Sequence, residues 1–225
     1  MFSPNYRTAS RGLPLSRVLA LVLLALPIIA WASDAEHDPG EALFDGKTFA
    51  GWEGNLDWFR IEDGQIVGGT LEKPIPNNEF LCTTATYGDF ELTLEVKLTN
   101  IPDANAGIQF RTVRIPNHHE VSGYQADMGE GWWGCLYDES RRNKVLAGPD
   151  RKALKKALRP GDWNTYRIRC EGPRIQLWLN DVQTVDYTET ENDIAKEGII
   201  GLQIHGGPPA EARYRNIRIR ELPSE

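Results

Sequence analysis

The sequence is poor in cysteine, and the few cysteines it has are not arranged to bind metal. Cys82, Cys135 and Cys170 are the only three, and none lies in a CxxC or histidine-rich context, which argues against a structural zinc site. Each lies in an apolar, strand-like run, where a buried free thiol is the common state. A disulfide between two of them is the alternative, because an exported protein can form one.

The chain also lacks a basic surface. Its formal net charge is −7, and no stretch combines clustered lysine and arginine with aromatic residues. An acidic protein of this kind repels phosphate backbones. We therefore exclude nucleic acid as a partner.

Only one apolar run, at residues 18–29, is long enough to be a targeting segment. It follows three arginines and ends at Ala30-Trp31-Ala32, a small-x-small cleavage site that is typical of a secretory signal peptide. The run is shorter than the roughly 20 residues that cross a membrane, so we expect no membrane association after cleavage, although an uncleaved anchor is the alternative. The sequence thus predicts a signal peptide at 1–32, a short linker at 33–41 and one domain at 42–223, exported to the periplasm or the extracellular space.

Helical periodicity is almost absent from the rest of the chain. Apolar residues recur at a helical spacing only in DRKALKKALRPG (150–161), whereas FRIEDGQIVGG (59–69) and most other segments alternate with period two. Asp63-Gly64 supplies a hairpin turn in the second of these segments. Many short strands, regular turns and one short helix indicate an all-β antiparallel sandwich or barrel, without internal repeats.

The alternation also predicts which polar side chains point away from the core. An outward tryptophan, an arginine and a histidine lie among amides and carboxylates, which is a mixture that suits sugar hydroxyls and the C–H face of a pyranose. The alternative is an ordinary solvated sheet surface. The candidate groove residues are Glu95, Gln109, Arg111, Gln125, Asp127, Trp178 and His205.

Two adjacent tryptophans, Trp132 and Trp133, follow the strand that carries Gln125 and Asp127. Neighbouring side chains of an extended chain point to opposite faces. We expect one ring in the core and the other, Trp133, beside the groove.

Eight segments resemble, in the same order, the 3-keto-disaccharide hydrolase domain family, which is abundant in exported bacterial proteins. The opening LFDGK-x-x-x-GW and the closing GLQ-x-HG with RNI-x-I are its most diagnostic parts. The segments are LFDGKTFAGWEG (43–54), WFRIEDGQIVGG (58–69), FELTLEVKL (90–98), NAGIQFRT (105–112), GYQADMG (123–129), WNTYRIRCEG (163–172), IQLWLNDVQTVDY (175–187) and GLQIHGGPPAEARYRNIRIREL (201–222).

The resemblance implies a concanavalin-like jelly-roll sandwich that acts on glycosides whose sugar ring carries a ketone at carbon 3. Cleavage would proceed by proton abstraction from carbon 2 and β-elimination, followed by hydration. On this basis His205 or Glu95 is the candidate base, Arg111 with Gln125 stabilises the enolate, and Asp127 is an acid or a metal ligand. The residues predicted to bind the substrate are Gln109, Gln125, Trp178, Trp133, Asn105 and Tyr124.

A cofactor and two other functional classes stay open at this stage. Glu95, Asp127 and His205 have the ligand chemistry to bind a divalent metal ion. The same fold could instead be a non-catalytic carbohydrate-binding module that uses Trp178 and Trp133 as platforms. A conventional glycosidase is less favoured, because no close pair of acids at an established spacing is evident. No oligomeric state is assigned.

Overall fold

The structure, a computed structural model, describes Met1 and residues 40–100 and 102–223. The chain divides into residues 1–37 and 38–225, and the fold below is that of the second unit. The predicted signal peptide and most of the predicted linker lie outside the described residues. Strand pairing begins at Glu41, opposite Ile219, one residue before the predicted domain start. Within the described part, no helix has the length and apolar character needed to cross a bilayer.

Two antiparallel sheets form a sandwich, which confirms the predicted fold class. Sheet A contains, in spatial order, β13 (Val182–Thr188), β12 (Arg174–Leu179), β11 (Asn164–Glu171), β6 (Phe90–Leu98), β15 (Ala210–Glu221), β4 (Gln65–Thr70) and β3 (Phe59–Glu62), and β1 (Glu41–Ala42) pairs with β15. Sheet B contains β10 (Lys144–Ala147), β9 (Leu136–Glu139), β8 (Val121–Gly129), β7 (Asn105–Arg114), β14 (Ile199–Ile204), β5 (Glu79–Thr83) and β2 (Trp52–Gly54).

The core lies between the sheets and follows the predicted alternation. Leu92, Leu94 and Val96 of β6 are fully buried, as are Ile108 and Phe110 of β7. Polar neighbours of these residues therefore lie on the outer face of each sheet. Cys82, Cys135 and Cys170 are buried free thiols.

The hairpin and the helix form where the sequence predicts them. Asp63 and Gly64 join β3 to β4 with φ angles of 49° and 73°, as the turn between two twisted strands requires. Helix α1 (Arg151–Ala157) begins after Asp150, whose side chain accepts hydrogen bonds from the backbone N–H groups of Lys152 and Ala153.

The period of two breaks at two places that bear on the site. Strand β7 contains a bulge between Phe110 and Val113, where Arg111 has a φ of 46°. Residues 130–134 form a turn rather than a strand, with Gly131 at a φ of 79°. Alternation cannot predict side-chain direction at either place.

Candidate functional site

A pocket of about 330 Å³ lies on the outer face of sheet B. Strands β7, β8 and β9 and the end of β14 contribute most of its wall, and the turn after β8 closes one side. None of its lining residues is an arginine or a lysine. The lining residues are Asn105, Gln125, Asp127, Trp132, Tyr137, Glu139 and His205.

Strand register brings these side chains together. Gln125 of β8 lies opposite Tyr137 of β9 and Gln109 of β7. Gly107 lies opposite Asp127, and a Cβ atom there would be 2.5 Å from the Gln125 Cδ atom. The absence of a side chain at Gly107 therefore lets Gln125 lie across β7.

Asp127 is the most strongly perturbed carboxyl group of the pocket. It is only 3% exposed, and its Oδ1 atom accepts hydrogen bonds from Asn105 Nδ2 at 3.3 Å and from the Met128 backbone N–H at 2.9 Å. Burial disfavours the ionised form more than these donors favour it, so the pKa of Asp127 rises to about 7. A carboxyl group with this pKa exchanges a proton near neutral pH.

A chain of amide hydrogen bonds orients the Asp127 carboxylate. Thr112 Oγ1 donates to Gln109 Oε1 at 3.2 Å, and Gln109 Nε2 donates to Gln125 Oε1. Gln125 in turn hydrogen-bonds Asp127. Gln109, which was predicted to bind substrate, is fully buried and acts beneath Gln125 instead.

Glu139 supplies a second, partly buried carboxyl group. Its pKa is raised by burial and by the negative charge of Glu120. Gln203 Nε2 donates to Glu139 Oε2 at 3.4 Å. Gln203 Oε1 and Glu120 Oε2 are both buried and have no hydrogen-bond partner among the described residues. Neither Gln203 nor Glu120 is a lining residue of the pocket.

One wall of the pocket is aromatic. The Trp132 ring packs edge-on against Tyr137, with a centroid distance of 6.0 Å, and remains 41% exposed. His205 lies on the same pocket, with Nδ1 2.6 Å from the Gly206 carbonyl oxygen. The backbone N–H of His205 donates to the Asn105 carbonyl at 3.1 Å and ties the end of β14 to β7.

The expected roles of the two tryptophans are reversed. Trp133 is 3% exposed and stacks on Tyr166 in the core, whereas Trp132 lines the pocket. The turn at 130–134 replaces the extended chain on which the expectation depended. Tyr124 also lies in the core, where it stacks on Phe110 and donates to Glu189.

Arg111 does not reach the pocket. Its guanidinium is buried and binds Asp89 at 2.8 Å and the carbonyl oxygens of Gly88 and Gly172 at 3.0 and 2.7 Å. The bulge in β7 turns this side chain away from the face that carries Gln109. Arg111 therefore connects two loops and cannot stabilise an enolate in this pocket.

Glu95 and Trp178 lie on sheet A, apart from the pocket. Glu95 pairs with Arg215 at 2.5 Å, and the Arg167 guanidinium lies 3.6 Å from the centroid of the Trp178 ring. The predicted metal ligands Glu95, Asp127 and His205 are therefore not assembled. Among the described residues, no group of three or more His, Cys, Asp and Glu side chains is placed to hold a metal ion.

Trp132, Tyr137 and Glu139 line the pocket but were not predicted to do so. The alternation in LYDE (136–139) could have predicted two of them. Leu136 and Asp138 are buried, so Tyr137 and Glu139 lie on the opposite face. Trp132 has no such signal, since it lies in an irregular turn.

A sequence match to a family covers most of the chain. A family model described as the 3-keto-alpha-glucoside-1,2-lyase-like domain matches residues 39–220. The chain belongs to this family. No curated protein sequence matches the chain.

Solved structures show that the fold of this 3-keto-alpha-glucoside-1,2-lyase-like domain is widespread. A proposed glycosyl hydrolase from Parabacteroides distasonis is 20% identical, with a TM-score of 0.60 over 80% of this chain and 93% of that chain. The carbohydrate-binding module CBM66 from Bacillus subtilis is 16% identical, with a TM-score of 0.57 over 76% and 96%. A Bacillus subtilis protein of unknown function with a galectin-like fold is 12% identical, with a TM-score of 0.58 over 79% and 92%. At these identities the similarity concerns the fold.

Proposed function

We propose that the protein is an exported enzyme that cleaves the glycosidic bond of 3-keto-glycosides by β-elimination, followed by hydration. The observation that carries this proposal is Asp127, a buried carboxyl group with a pKa of about 7 in a pocket without cationic side chains. A general base is most effective when its pKa lies near the working pH. Family membership supplies the substrate class.

In the first half of the reaction, the Asp127 carboxylate takes the proton from carbon 2. The electron pair of that C–H bond moves into the carbon 3 carbonyl and gives an enolate. When the enolate collapses, a double bond forms between carbons 1 and 2 and the bond from carbon 1 to the glycosidic oxygen breaks. Glu139 supplies the proton to the leaving oxygen, because its raised pKa keeps it protonated to higher pH than an ordinary glutamate.

In the second half, water adds to carbon 1 of the enone and the proton returns to carbon 2. Trp132 provides a platform for the sugar ring, and Gln125 and Asn105 hold Asp127 in position. With Nδ1 on the Gly206 carbonyl, His205 has Nε2 left to contact the substrate.

Incubation with 3-keto-trehalose or 3-keto-lactose, with and without a chelator, tests the proposal. We expect glucose release, transient ultraviolet absorbance of an enone, and deuterium at carbon 2 of the product in D₂O. The unoxidised disaccharides should not react. If no ketosugar is cleaved, or if carbon 2 takes up no deuterium during cleavage, the proposed reaction is wrong.

The second candidate is a carbohydrate-binding module, which the exposed Trp132 platform favours. Asp127→Asn separates the two functions, because it removes the proposed base and leaves the Trp132 platform in place. A catalyst should lose turnover and still bind the ketosugar, whereas a binding module binds plain and oxidised sugars and turns over neither.

A further inference from the structure

Helix α1 and the turn at 130–134 enclose a second cavity of about 570 Å³. It shares no lining residue with the pocket of Asp127, because Trp132 faces one cavity and Trp133 the other. The proposed reaction uses none of its residues.

The floor of this cavity is apolar. Trp133 and Leu154 are 3% and 5% exposed, and Leu158 and Pro160 extend the surface at the end of the helix. The Trp133 ring lies nearly parallel to Tyr166, at 13°, and this stacking fixes its plane. Such a surface accommodates an aromatic or branched aliphatic group.

Two cationic side chains lie on the wall of the cavity. Arg151 and Lys155 are four residues apart and therefore lie on the same face of the helix. Neither forms an ion pair with a described residue, although Arg151 Nη2 contacts Cys135 Sγ at 3.6 Å. Several arginines elsewhere are paired, as Arg114 is with Glu53 and Arg174 with Asp186.

One acidic residue, Glu130, also lines the cavity. The lining therefore carries two positive charges and one negative charge, although the formal net charge of the whole chain is −7. Because the surrounding protein repels anions, an anion would bind here through these local contacts and not through the overall field.

We propose that this cavity binds a small amphipathic monoanion, such as an aromatic carboxylate. Its apolar group packs against Trp133 and Leu154, and its carboxylate binds Arg151 and Lys155. The proposal does not depend on the proposed reaction, because it concerns different residues and a different ligand.

Titration of the full chain with 1-anilinonaphthalene-8-sulfonate tests this site, with 3-phenylpropionate as the competitor. We expect saturable fluorescence with one site, and displacement by 3-phenylpropionate. The double variant Arg151→Glu/Lys155→Glu should weaken binding of both molecules at least tenfold. The matched control is Lys152→Glu/Lys156→Glu, which changes the charge of the same helix by the same amount, at residues outside the cavity lining. Its dissociation constants for both molecules should stay within twofold of those of the unmodified protein.

Three outcomes would overturn the proposal. Equal losses in both double variants would show a diffuse charge effect, and no loss in either would place the probe elsewhere. Competition by 3-phenylpropanamide as strong as by the acid would show that no anion is recognised. Circular dichroism melting checks that the variants fold, and Arg151→Gln/Lys155→Gln replaces the reversal variant if that one does not.

Discussion

The outer faces of the two sheets use the same strand geometry for different chemistry. On sheet A, Glu91 is surrounded by Arg167, Arg169 and Arg220 at 3.5, 3.7 and 3.4 Å, and Glu95 pairs with Arg215. On sheet B, Asp127 and Glu139 accept hydrogen bonds from amides and backbone N–H groups. Neither of these two forms an ion pair among the described residues.

Under the proposed function, the difference separates a stabilising face from a reactive one. Burial without a paired cation raises the pKa of Asp127 to about 7 and also raises the pKa of Glu139. Such unpaired burial costs folding free energy, and clusters of this kind mark functional sites. Substitutions that exchange or remove these carboxyl groups test the contrast.

The largest effect should come from Asp127→Asn. The amide retains the shape of the side chain and an oxygen for Asn105 and Met128, but it cannot accept the carbon 2 proton. We expect kcat/KM for 3-keto-trehalose to fall on the order of 10²–10⁴-fold, with ligand binding retained. In the unmodified enzyme kcat/KM should rise with pH through about 7 as Asp127 ionises. If the variant keeps more than one tenth of the activity of the unmodified enzyme, with the same pH profile, Asp127 is not the base.

The same substitution should stabilise the protein at high pH. The folded-state pKa of Asp127 is raised, so its contribution to folding is fully present below its unfolded pKa of about 4 and is lost as pH rises through about 7. At pH 8, Asp127→Asn should raise the free energy of unfolding by on the order of 2–4 kcal/mol. Denaturant titrations at pH 8 and pH 4 measure this, and an equal change at both values would contradict it.

Glu139→Gln should have a smaller but more diagnostic effect. Loss of the acid should lower kcat on the order of 10²-fold. The fall of kcat at high pH, where Glu139 loses its proton, should also disappear in this variant. A reduced rate with an unchanged fall at high pH would mean that Glu139 is not the acid.

The sequence predicted those parts of this contrast that depend on neighbouring residues within one strand, but not those that depend on which strands pair. The alternation predicted that Gln125, Asp127 and His205 point away from the core, and the family resemblance added Asn105. Alternation also placed Glu95 correctly on an outer face. It could not tell which sheet that was, because strand order depends on long-range pairing.

Two local irregularities also escaped the pattern. The bulge at Arg111 adopts a positive φ that a non-glycine residue rarely shows, and it reverses a side chain that period two places in the groove. Because residues 130–134 form a turn, Trp132 lines the pocket in place of Trp133. Both depend on backbone geometry that the residue types alone do not specify.

Trp132→Ala should have a moderate effect on binding. Loss of the ring should raise KM by about tenfold, equivalent to about 1.4 kcal/mol, with kcat nearly unchanged, because the platform contacts the ground state and the transition state alike. Trp178→Ala is the matched control on sheet A, where the ring is covered by Arg167, and its KM should stay within twofold. Similar increases in KM for both variants would contradict the assignment of the pocket to sheet B.

Glu95→Gln should have the smallest effect and gives the sharpest test of the contrast. Glu95 is a partly exposed ion-pair partner of Arg215, so its removal should lower the free energy of unfolding by less than about 1 kcal/mol. High salt should reduce this difference, because ions screen exposed pairs. Turnover should stay within twofold, since sheet A places the carboxylate away from the pocket. A loss of turnover comparable to that of Asp127→Asn would show that the two faces do not divide stability from chemistry.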